Sequence, residues 1–259
     1  MKRHIRLGIN IDHVATLRNA RGENYPEVVE AAKIVEKSGA DLVTVHVRED
    51  RRHINEKDLG DILNVINIPV NLEIAANPEM VRIAVEHKPK CVCIVPERRQ
   101  EITTEGGLDV VNNFDKLKKI CKLFSNNNIN LAFFIDPDKD QLIATHKLGV
   151  KTIEFHTGIY ANAFMQKSNV EKELKKIIES AAFAKELGLN CHAGHGLTFE
   201  NVSPIASIKM IDELNIGHFI IANSIFDGLE TSIIKMREII SKEAKWLSEL
   251  EQIFLIKGG

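Results

Sequence analysis

The amino-acid sequence predicts a protein of the α/β class, a closed (β/α)₈ TIM barrel with extra helices. Along 259 residues, eight short apolar runs alternate with helical segments, which is the order of a barrel of parallel strands. The phrases KSGADLVTV, KLGVKTIEF and ELGLNCHAG repeat one order of helix end, glycine, short turn and strand. No low-complexity linker divides the chain, so residues 1–259 are expected to form a single barrel domain. An open doubly wound sheet is the alternative, but no G-x-G-x-x-G follows the first strand.

Eight segments carry the pattern of strands that are buried on both faces. The runs LVTVHV, AFFI and FIIA are apolar on nearly every successive residue, as is typical of a parallel sheet covered by helices. The expected strands are 6–11, 42–47, 69–74, 90–95, 130–135, 151–156, 189–193 and 218–222.

Helical segments separate these strands. EVVEAAKIVEKSGA has apolar residues at helical spacing, and its helix is expected to end at Gly39. The same spacing is found in PEMVRIAVEH, DKDQLIATHKLG and NVEKELKKIIESAAFAKELG. Three stretches exceed a minimal barrel: a loop over 10–26, a loop over 97–113 and a helical segment near 168–187. The tail KEAKWLSELEQIFLIKGG is expected to be an amphipathic helix that serves the core or a subunit contact.

Charge and composition narrow the class of protein. The 34 Lys and Arg residues nearly balance 36 Asp and Glu residues, for a net charge of −2, which argues against nucleic acid or an acidic membrane as partner. No apolar run reaches the roughly 18 residues of a membrane helix. The start MKRHIRLGINIDH has no apolar signal-peptide core, so a cytoplasmic location is expected. The four cysteines form no C-x-x-C pair and fit small buried side chains.

Polar side chains collect at the ends of the expected strands, where barrel enzymes carry their active sites. Six of the ten histidines lie in or beside strands, together with Glu73 and Glu154. Groups with pKa values near neutrality are typical of an acid–base site. His46 and Arg48 are two residues apart, so they share a face of their strand. The six histidines are His13, His46, His156, His192, His195 and His218.

Two glycine-bearing segments predict phosphate binding. AGHGLT at 193–198 follows the expected seventh strand, and NIGH at 215–218 leads into the expected eighth. Backbone N–H groups after strands seven and eight hold phosphate in many barrels, although each glycine alone also fits an ordinary turn. Arg48 suits a second phosphate or a carboxylate. The segment EITTEGGLD at 101–109 is either an ordinary long loop or a lid over the site.

Eight motifs in order resemble those of the pyridoxine 5′-phosphate synthase family. They are LGINIDHVATLRNARG, TVHVREDRRHI, NLEIA, VPERRQEITTEGGLDV, FIDPD, IEFHTG, AGHGLT and LNIGHFII, and they run from about residue 7 to about residue 228. The resemblance implies condensation of 3-amino-2-oxopropyl phosphate with 1-deoxy-D-xylulose 5-phosphate to give pyridoxine 5′-phosphate, phosphate and water. It also implies proton transfers without a metal or other cofactor, and a homo-octamer.

The same resemblance implies residue roles. His46 and Glu73 would be general bases, and His195 the general acid. Glu154 would stabilise a transition state. The residues expected to hold the amino ketone phosphate are Asn10, Arg21, Gly196, Gly217 and His218. Those expected to hold the deoxyxylulose phosphate are Asp12, His13, Arg48, His53 and Thr103.

Two departures and two other function classes complete the interpretation. His192 replaces a non-ionisable residue such as the asparagine of NAGHGLT, and is either a spectator or tunes His195. FIIANSIFDG differs from the more usual IIGRA type.

A metal-dependent barrel hydrolase or aldolase is one alternative function, but the D-H pair after strand one places its side chains on opposite faces. A non-catalytic sensor of phosphorylated ligands is the other. The metal ligands of the first alternative would be His13, His46, His156 and His195.

Overall fold

The computed structural model is a closed barrel of eight parallel strands. It describes residues 3–96 and 106–257, with side chains as far as residue 243. Each strand pairs in parallel with the next one along the chain, and the first strand pairs with the eighth through registers such as Arg6 with Glu213 and Gly8 with Asn215. The closed barrel is therefore confirmed, and the alternative of an open doubly wound sheet is wrong.

Strands and helices alternate around this barrel. The strands are β1 (Arg6–Asn10), β2 (Leu42–His46), β3 (Val70–Ala75), β4 (Cys91–Val95), β5 (Asn130–Ile135), β6 (Thr152–His156), β7 (Asn190–Gly194) and β8 (Ile211–Ile216). The helices are α1 (Asp12–Arg21), α2 (Val28–Lys37), α3 (Glu56–Val65), α4 (Pro78–His87), α5 (Phe114–Asn126), α6 (Lys139–Lys147), α7 (Gly158–Met165), α8 (Val170–Glu186), α9 (Val202–Ala206), α10 (His218–Asp227) and α11 (Leu229–Lys257). None of these helices, as far as the chain is described, is both long and apolar enough to cross a membrane.

Several helices start at side chains that satisfy the first free backbone N–H groups. Asn55 and Asp58 form a reciprocal capping box at α3. Asn77 caps α4, with Pro78 in the first turn, and Asp138 accepts from two backbone N–H groups of α6. At α4 and α6 these local signals start the helix a few residues after the end of the preceding strand, which leaves short loops at the barrel mouth.

The predicted position of the eighth strand is wrong. Residues 218–222 belong to α10, and β8 is the preceding segment Ile211–Ile216. The segment IDELNI lacks the apolar pattern of a buried strand, because its residues Glu213 and Asn215 are polar. Both face the interior of the barrel, where they are almost fully buried. The apolar run FIIA instead lies on a helix that packs on α11. Gly217 and His218 consequently follow the last strand, which is the position of a barrel phosphate loop.

Of the three long stretches, the first was predicted as a loop but contains a helix, and the third was predicted as a helix and is one. The expected loop over 10–26 holds α1, which ends at Gly22 in the left-handed conformation. The segment near 168–187 is α8, and α7 precedes it. In the stretch over 97–113, residues 97–105 lie outside the described part of the chain. The apolar face of the tail around Trp246 also lies outside it, although the backbone is helical there.

The apolar core lies between the strands and the surrounding helices, whereas much of the barrel interior is polar. Alternate strand residues such as Ile9, Val45 and Leu72 are fully buried in the outer layer. A small separate apolar cluster fills one side of the interior. Barrel interiors are usually filled with branched apolar residues, so the polar interior marks the site. The small cluster is Cys93, Val95, Ala132 and Phe134.

Candidate active site

The first cluster of the site lies at the C-terminal ends of β1, β2 and β3. The backbone N–H of Asp12 donates to Asn10 Oδ1, and Asn10 Nδ2 donates back to Asp12 Oδ2, both at 2.9 Å. The backbone N–H of His46 donates to Asp12 Oδ1 at 2.8 Å. Asn10 Nδ2 also reaches Glu73 Oε2 at 3.5 Å. These four predicted residues, which come from three separate strand ends, therefore share one wall of the barrel mouth.

Glu73 is a carboxyl group whose ionisation is opposed in two ways. Its enclosure in the barrel mouth removes hydration, and Glu154 and Asp12 place negative charge nearby. Both effects raise the pKa of Glu73 well above its usual range. The carboxyl thus holds its proton to a much higher pH than an exposed glutamate does, which suits a group that must exchange protons near neutrality.

Asp12, His46 and Glu73 also form the one group that could hold a metal ion among the described residues, with ligand atoms within 4.8 Å of one another. Both carboxylate oxygens of Asp12 already accept hydrogen bonds from Asn10 and from the backbone of His46. A metal would have to displace these contacts, so the donor set fits a hydrogen-bonded acid–base cluster better than a metal centre. The four histidines of the metal-enzyme alternative do not form such a group in this part of the chain.

A second cluster joins three histidines beside the first. The ring of His13 makes edge contacts with the rings of His218, at 4.9 Å between centroids, and His53, at 5.5 Å. Thr16 Oγ1 lies 2.7 Å from His53 Nδ1 and 3.3 Å from His13 Nδ1. Residues predicted to serve two different phosphates therefore lie side by side. His218 is the first residue of α10, and a helix N-terminus favours bound anions.

Two predicted glycines make room at the mouth. A Cβ on Gly217 would lie 2.8 Å from the Cβ of Asn10, so only glycine lets the end of β8 approach β1 this closely. Gly196 has φ +77, and a Cβ there would lie 2.6 Å from the Cβ of Ala161. The left-handed backbone at Gly196 is accessible to glycine without strain. Both glycines therefore shape the turns where backbone N–H groups can face a phosphate.

The arginines of the first two loops have different environments. Arg48 is almost fully buried at the end of β2, with Nε 3.8 Å from Asp50 Oδ1. Arg18 makes a two-pronged pair with Asp58, at 2.7 and 2.8 Å, which commits it to the start of α3. Arg21 is exposed at the end of α1 and makes no hydrogen bond or ion pair with the described residues. The structure thus explains why Arg18 is the less suitable phosphate ligand of the two.

His195 lies just after β7 in an unusual backbone conformation. Its φ of 80 is rare for a residue other than glycine. The ring of His156 is 5.2 Å from its ring, and His156 Nδ1 lies 3.0 Å from Asp136 Oδ1. Although His195 is exposed to solvent, desolvation by the surrounding protein disfavours its charged form, and His156 and His218 add positive charge. These effects lower the pKa of His195 to about 4.

Sequence reasoning assigned no role to two residues that support His195. Thr157 is fully buried, and its Oγ1 donates to the carbonyl oxygens of Gly194, at 2.7 Å, and His195, at 2.6 Å. Burial opposes ionisation of Asp136, but hydrogen bonds from His156 and the backbone of Gly107 outweigh it and lower the pKa of Asp136. The signals were present, because FIDPD contains Asp136 and IEFHTG contains Thr157.

Glu154 lies deeper in the barrel than the other predicted catalytic residues. It is 3% exposed, and Asn215 Nδ2 donates to its Oε2 at 2.8 Å. Burial and the negative charge of Glu213 raise the pKa of Glu154 to about 8, although the hydrogen bond from Asn215 lowers it. A buried carboxyl with such a pKa can be either acid or base near neutral pH.

The remaining predicted residues are separated from this site or cannot be placed. Thr103 lies outside the described residues, and so does most of the segment over 101–109 that was interpreted as a lid or a loop. His192 faces Glu213, with Nδ1 2.9 Å from Glu213 Oε1. It therefore does not contact His195, and the interpretation that His192 tunes His195 directly has no contact to support it.

Comparison with known proteins gives concordant results. A family profile described as "Pyridoxal phosphate biosynthesis protein PdxJ" matches residues 7–242. A pyridoxine 5′-phosphate synthase of Sulfurihydrogenibium sp. is 53% identical over 244 residues, covering 93% of this chain and all of that protein. One from Zymomonas mobilis is 50% identical over 240 residues, covering 93% of each chain.

Solved structures show the same architecture at low sequence similarity. A 3-keto-L-gulonate-6-phosphate decarboxylase from Vibrio cholerae superposes with a TM-score of 0.64 at 15% identity, covering 93% of this chain and 99% of that one. At this identity the likeness concerns the fold alone. The profile match and the relatives near half identity extend over almost the entire chain, so this chain is a member of the PdxJ family of pyridoxal phosphate biosynthesis proteins.

Proposed function

We propose that this chain is a pyridoxine 5′-phosphate synthase. It condenses 3-amino-2-oxopropyl phosphate with 1-deoxy-D-xylulose 5-phosphate and releases pyridoxine 5′-phosphate, inorganic phosphate and water. The single observation that carries the proposal is the grouping of acid–base side chains around one barrel mouth, in a chain about half identical to proteins of that name. Joining an amine to a ketone and closing the ring by an aldol-type step require repeated proton transfer and no external electron carrier.

The side chains divide into two sets by what they can do with a proton. Glu73 and Glu154 hold theirs to unusually high pH, whereas His195 is neutral to unusually low pH. Both carboxyls therefore have protons available for imine formation and dehydration. In this proposal His46 acts as a base, and Glu73 acts as a base in the steps that follow the loss of its proton. His195 acts as the acid, and Glu154 stabilises a positively charged or proton-sharing transition state.

Substrate phosphate supplies the charge that makes His195 an acid. A neutral imidazole cannot donate the proton that the general acid must supply. A phosphate bound near Gly196, Gly217 and His218 brings negative charge beside the ring, and such charge raises a histidine pKa. Binding of the substrates thus prepares the acid, and the ligand-free protein keeps it neutral.

The second phosphate fits the cluster around His13. His53 and Arg48 supply donors on its sides, and an arginine offers two parallel hydrogen bonds to a phosphate. Asn10 and Asp12 lie between this cluster and Glu73. The two substrates would therefore meet over the wall formed by β1, β2 and β3, within reach of His46.

Turnover by purified, metal-stripped protein tests the proposal. Both phosphorylated substrates are supplied, the unstable amino ketone is generated in situ, and pyridoxine 5′-phosphate is detected by chromatography. We expect product without metal or nucleotide, loss of turnover in Glu73→Gln, and normal turnover in the matched control Glu86→Gln on the outer helix α4. Product that appears only after metal is restored favours the metal-dependent alternative. Ligand binding without turnover in the folded wild-type protein favours a sensor.

We further propose that the chain assembles as a homo-oligomer, an octamer, in the cytoplasm. Large apolar side chains stay exposed on α7 and α10, where Met165, Ile225 and Phe226 are 73%, 72% and 87% exposed. Such exposure supports burial against other subunits. The four cysteines are free thiols, which fits a reducing compartment. Light scattering coupled to gel filtration should give eight times the 29.1 kDa chain mass, and a monomer would contradict the assembly.

A further inference from the structure

A chain of polar side chains continues below Glu154 toward the N-terminal end of the barrel. Asn215 Nδ2 donates to Glu154 Oε2 at 2.8 Å and to Glu213 Oε1 at 3.1 Å. Thr44 Oγ1 donates to Asn215 Oδ1 at 3.1 Å. The Glu213 carboxylate fixes which way the amide points, because it can only accept a hydrogen bond. Nδ2 therefore faces the carboxyl groups, and Oδ1 accepts from the Thr44 hydroxyl. Asn215 therefore orients Glu154 while bridging it to Glu213.

Two glycines make room for this arrangement. A Cβ on Gly8 would lie 2.0 Å from Asn215 Oδ1, and a Cβ on Gly194 would lie 2.3 Å from Glu154 Oε1. The amide and the carboxylate are thus in close contact with bare backbone on β1 and β7. Such close packing holds the Asn215 amide and the Glu154 carboxyl in one position each. The link from Glu154 through Asn215 to Glu213 is therefore rigid.

Arg6 and His192 contact the Glu213 side chain and favour its carboxylate form. Arg6 places one guanidinium nitrogen 2.9 Å from Glu213 Oε2, and His192 Nδ1 lies 2.9 Å from Oε1. The same Arg6 nitrogen lies 3.2 Å from His192 Nε2. Because a guanidinium only donates, Nε2 accepts and Nδ1 carries the proton that is donated to Glu213. His192 and Arg6 therefore both contact the Glu213 carboxylate through donor nitrogens.

We propose that Asn215 is a positioning residue for Glu154, and that Arg6 and His192 maintain Glu213 as the negative charge that governs when Glu154 is protonated. This inference rests on the proposed synthase function and extends it to residues outside the reacting groups. It also gives a role to His192, which replaces the asparagine of the motif NAGHGLT.

The surroundings of Glu154 agree with a dominant influence of Glu213. The pKa of Glu213 is lowered although the residue is buried, because the hydrogen bond from His192, the electrostatic attraction of His192 and Arg6, and the hydrogen bond from Asn215 together outweigh desolvation. Glu213 is the charged neighbour that raises the pKa of Glu154. The other titratable groups around this carboxyl from neighbouring strands are Glu73 on β3, Cys93 on β4 and His192 on β7.

Direct titration of Glu154 tests the electrostatic half of the proposal. Glutamate labelled with ¹³C at the side-chain carboxyl reports its protonation by NMR, and Glu154→Gln identifies the signal. We expect Arg6→Met to lower the pKa of Glu154, and the double variant Arg6→Met/His192→Leu to lower it by about one unit or more. Asn190→Ala, at the same end of the barrel, serves as the matched control and should leave it unchanged.

Kinetics test the positioning half. Asn215→Leu, of similar size, should lower kcat about 100-fold, as expected for a misplaced group, while KM changes less than about threefold. A kcat within about threefold of the wild-type value would overturn the role of Asn215. A Glu154 pKa that is unchanged or raised in every variant that folds would overturn the role of Arg6 and His192. The single Arg6 variant changes a half-exposed side chain, so it keeps the test valid if the double variant does not fold.

The two experiments separate this inference from the proposed function. The NMR titration requires no substrate, so it reports on Arg6, His192 and Glu213 even in a protein without synthase activity. A normal titration response combined with absent turnover would contradict the synthase proposal alone.

Discussion

Replacing Gly194 with alanine should disable the site without unfolding the barrel. The added Cβ would lie 2.3 Å from Glu154 Oε1 and 2.8 Å from the backbone oxygen of Asn215, whereas ordinary contacts begin at 3.4 Å. The backbone oxygen belongs to β8 and cannot yield freely, so the Glu154 carboxyl must move by about 1 Å. A displacement of that size costs about 100-fold in rate, or roughly 2.7 kcal/mol of activation free energy. Overpacking should lower the free energy of unfolding by about 1–3 kcal/mol.

The assay combines steady-state kinetics with urea unfolding and has a glycine control. Gly60 lies in the middle of α3, and a Cβ there would contact the His87 ring at 3.5 Å, an ordinary distance. Gly60→Ala should therefore raise the free energy of unfolding by about 0.5–1 kcal/mol through better helix propensity and leave kcat unchanged. If folded Gly194→Ala kept a kcat within about threefold of wild type, the reasoning from close contact would be refuted.

Two further predictions concern stability. Because the pKa of Glu154 is raised from 4.5 to about 8, the free energy of unfolding of the wild-type protein should fall as the pH rises through this interval. In urea unfolding, Glu154→Gln should have the same free energy of unfolding as wild type near pH 4. Near pH 9 its free energy of unfolding should be higher, by a few kcal/mol at most. A difference that does not grow with pH would contradict this. Arg18→Met should lower the free energy of unfolding by about 1–3 kcal/mol, because the Asp58 carboxylate would lose its ion-pair partner. Arg21→Met should change it by less than about 0.5 kcal/mol and instead raise KM for the amino ketone phosphate; equal stability effects of the two would refute the distinction.

Local patterns predict most strands but fail where the interior is polar. The apolar run LVTVHV predicts 42–47, and β2 is Leu42–His46. IDELNI at 211–216 has the same role in the barrel, yet its inward positions are Glu213 and Asn215. The residues of a polar segment alone do not show whether the segment is a strand that lines an active site or a loop. Only closure of the barrel, which sets β8 between β7 and β1, settles the assignment.

The position of the site follows from chain topology, but its pairings do not. A barrel brings all strand ends to one rim, so Asn10, His46 and Glu73 could be expected together. Contacts such as those of His13 with His53 and His218 depend on strand register and on where helices begin, neither of which is visible in residue spacing. These contacts appear only once the strands are aligned in three dimensions.

The choice between neighbouring arginines shows the same limit. Arg18 and Arg21 lie on one short helix and have the same chemistry, so residue type cannot separate them. The separation comes from Asp58, forty positions away in sequence, which engages Arg18. His195 is another case, since its left-handed backbone is supported by Thr157 from a different strand end.

The polar interior carries a consequence for how freely this sequence can change. A core of branched apolar side chains inside the barrel would bind strands together more strongly than carboxyls such as Glu154 and Glu213, which lose hydration there. Selection for thermal tolerance alone would therefore favour apolar replacements at Thr44, Asn215 and Glu154, and each would remove part of the chemistry. Activity and robustness compete for the same positions. Stabilising substitutions compatible with function should accumulate in the outer layer between strands and helices.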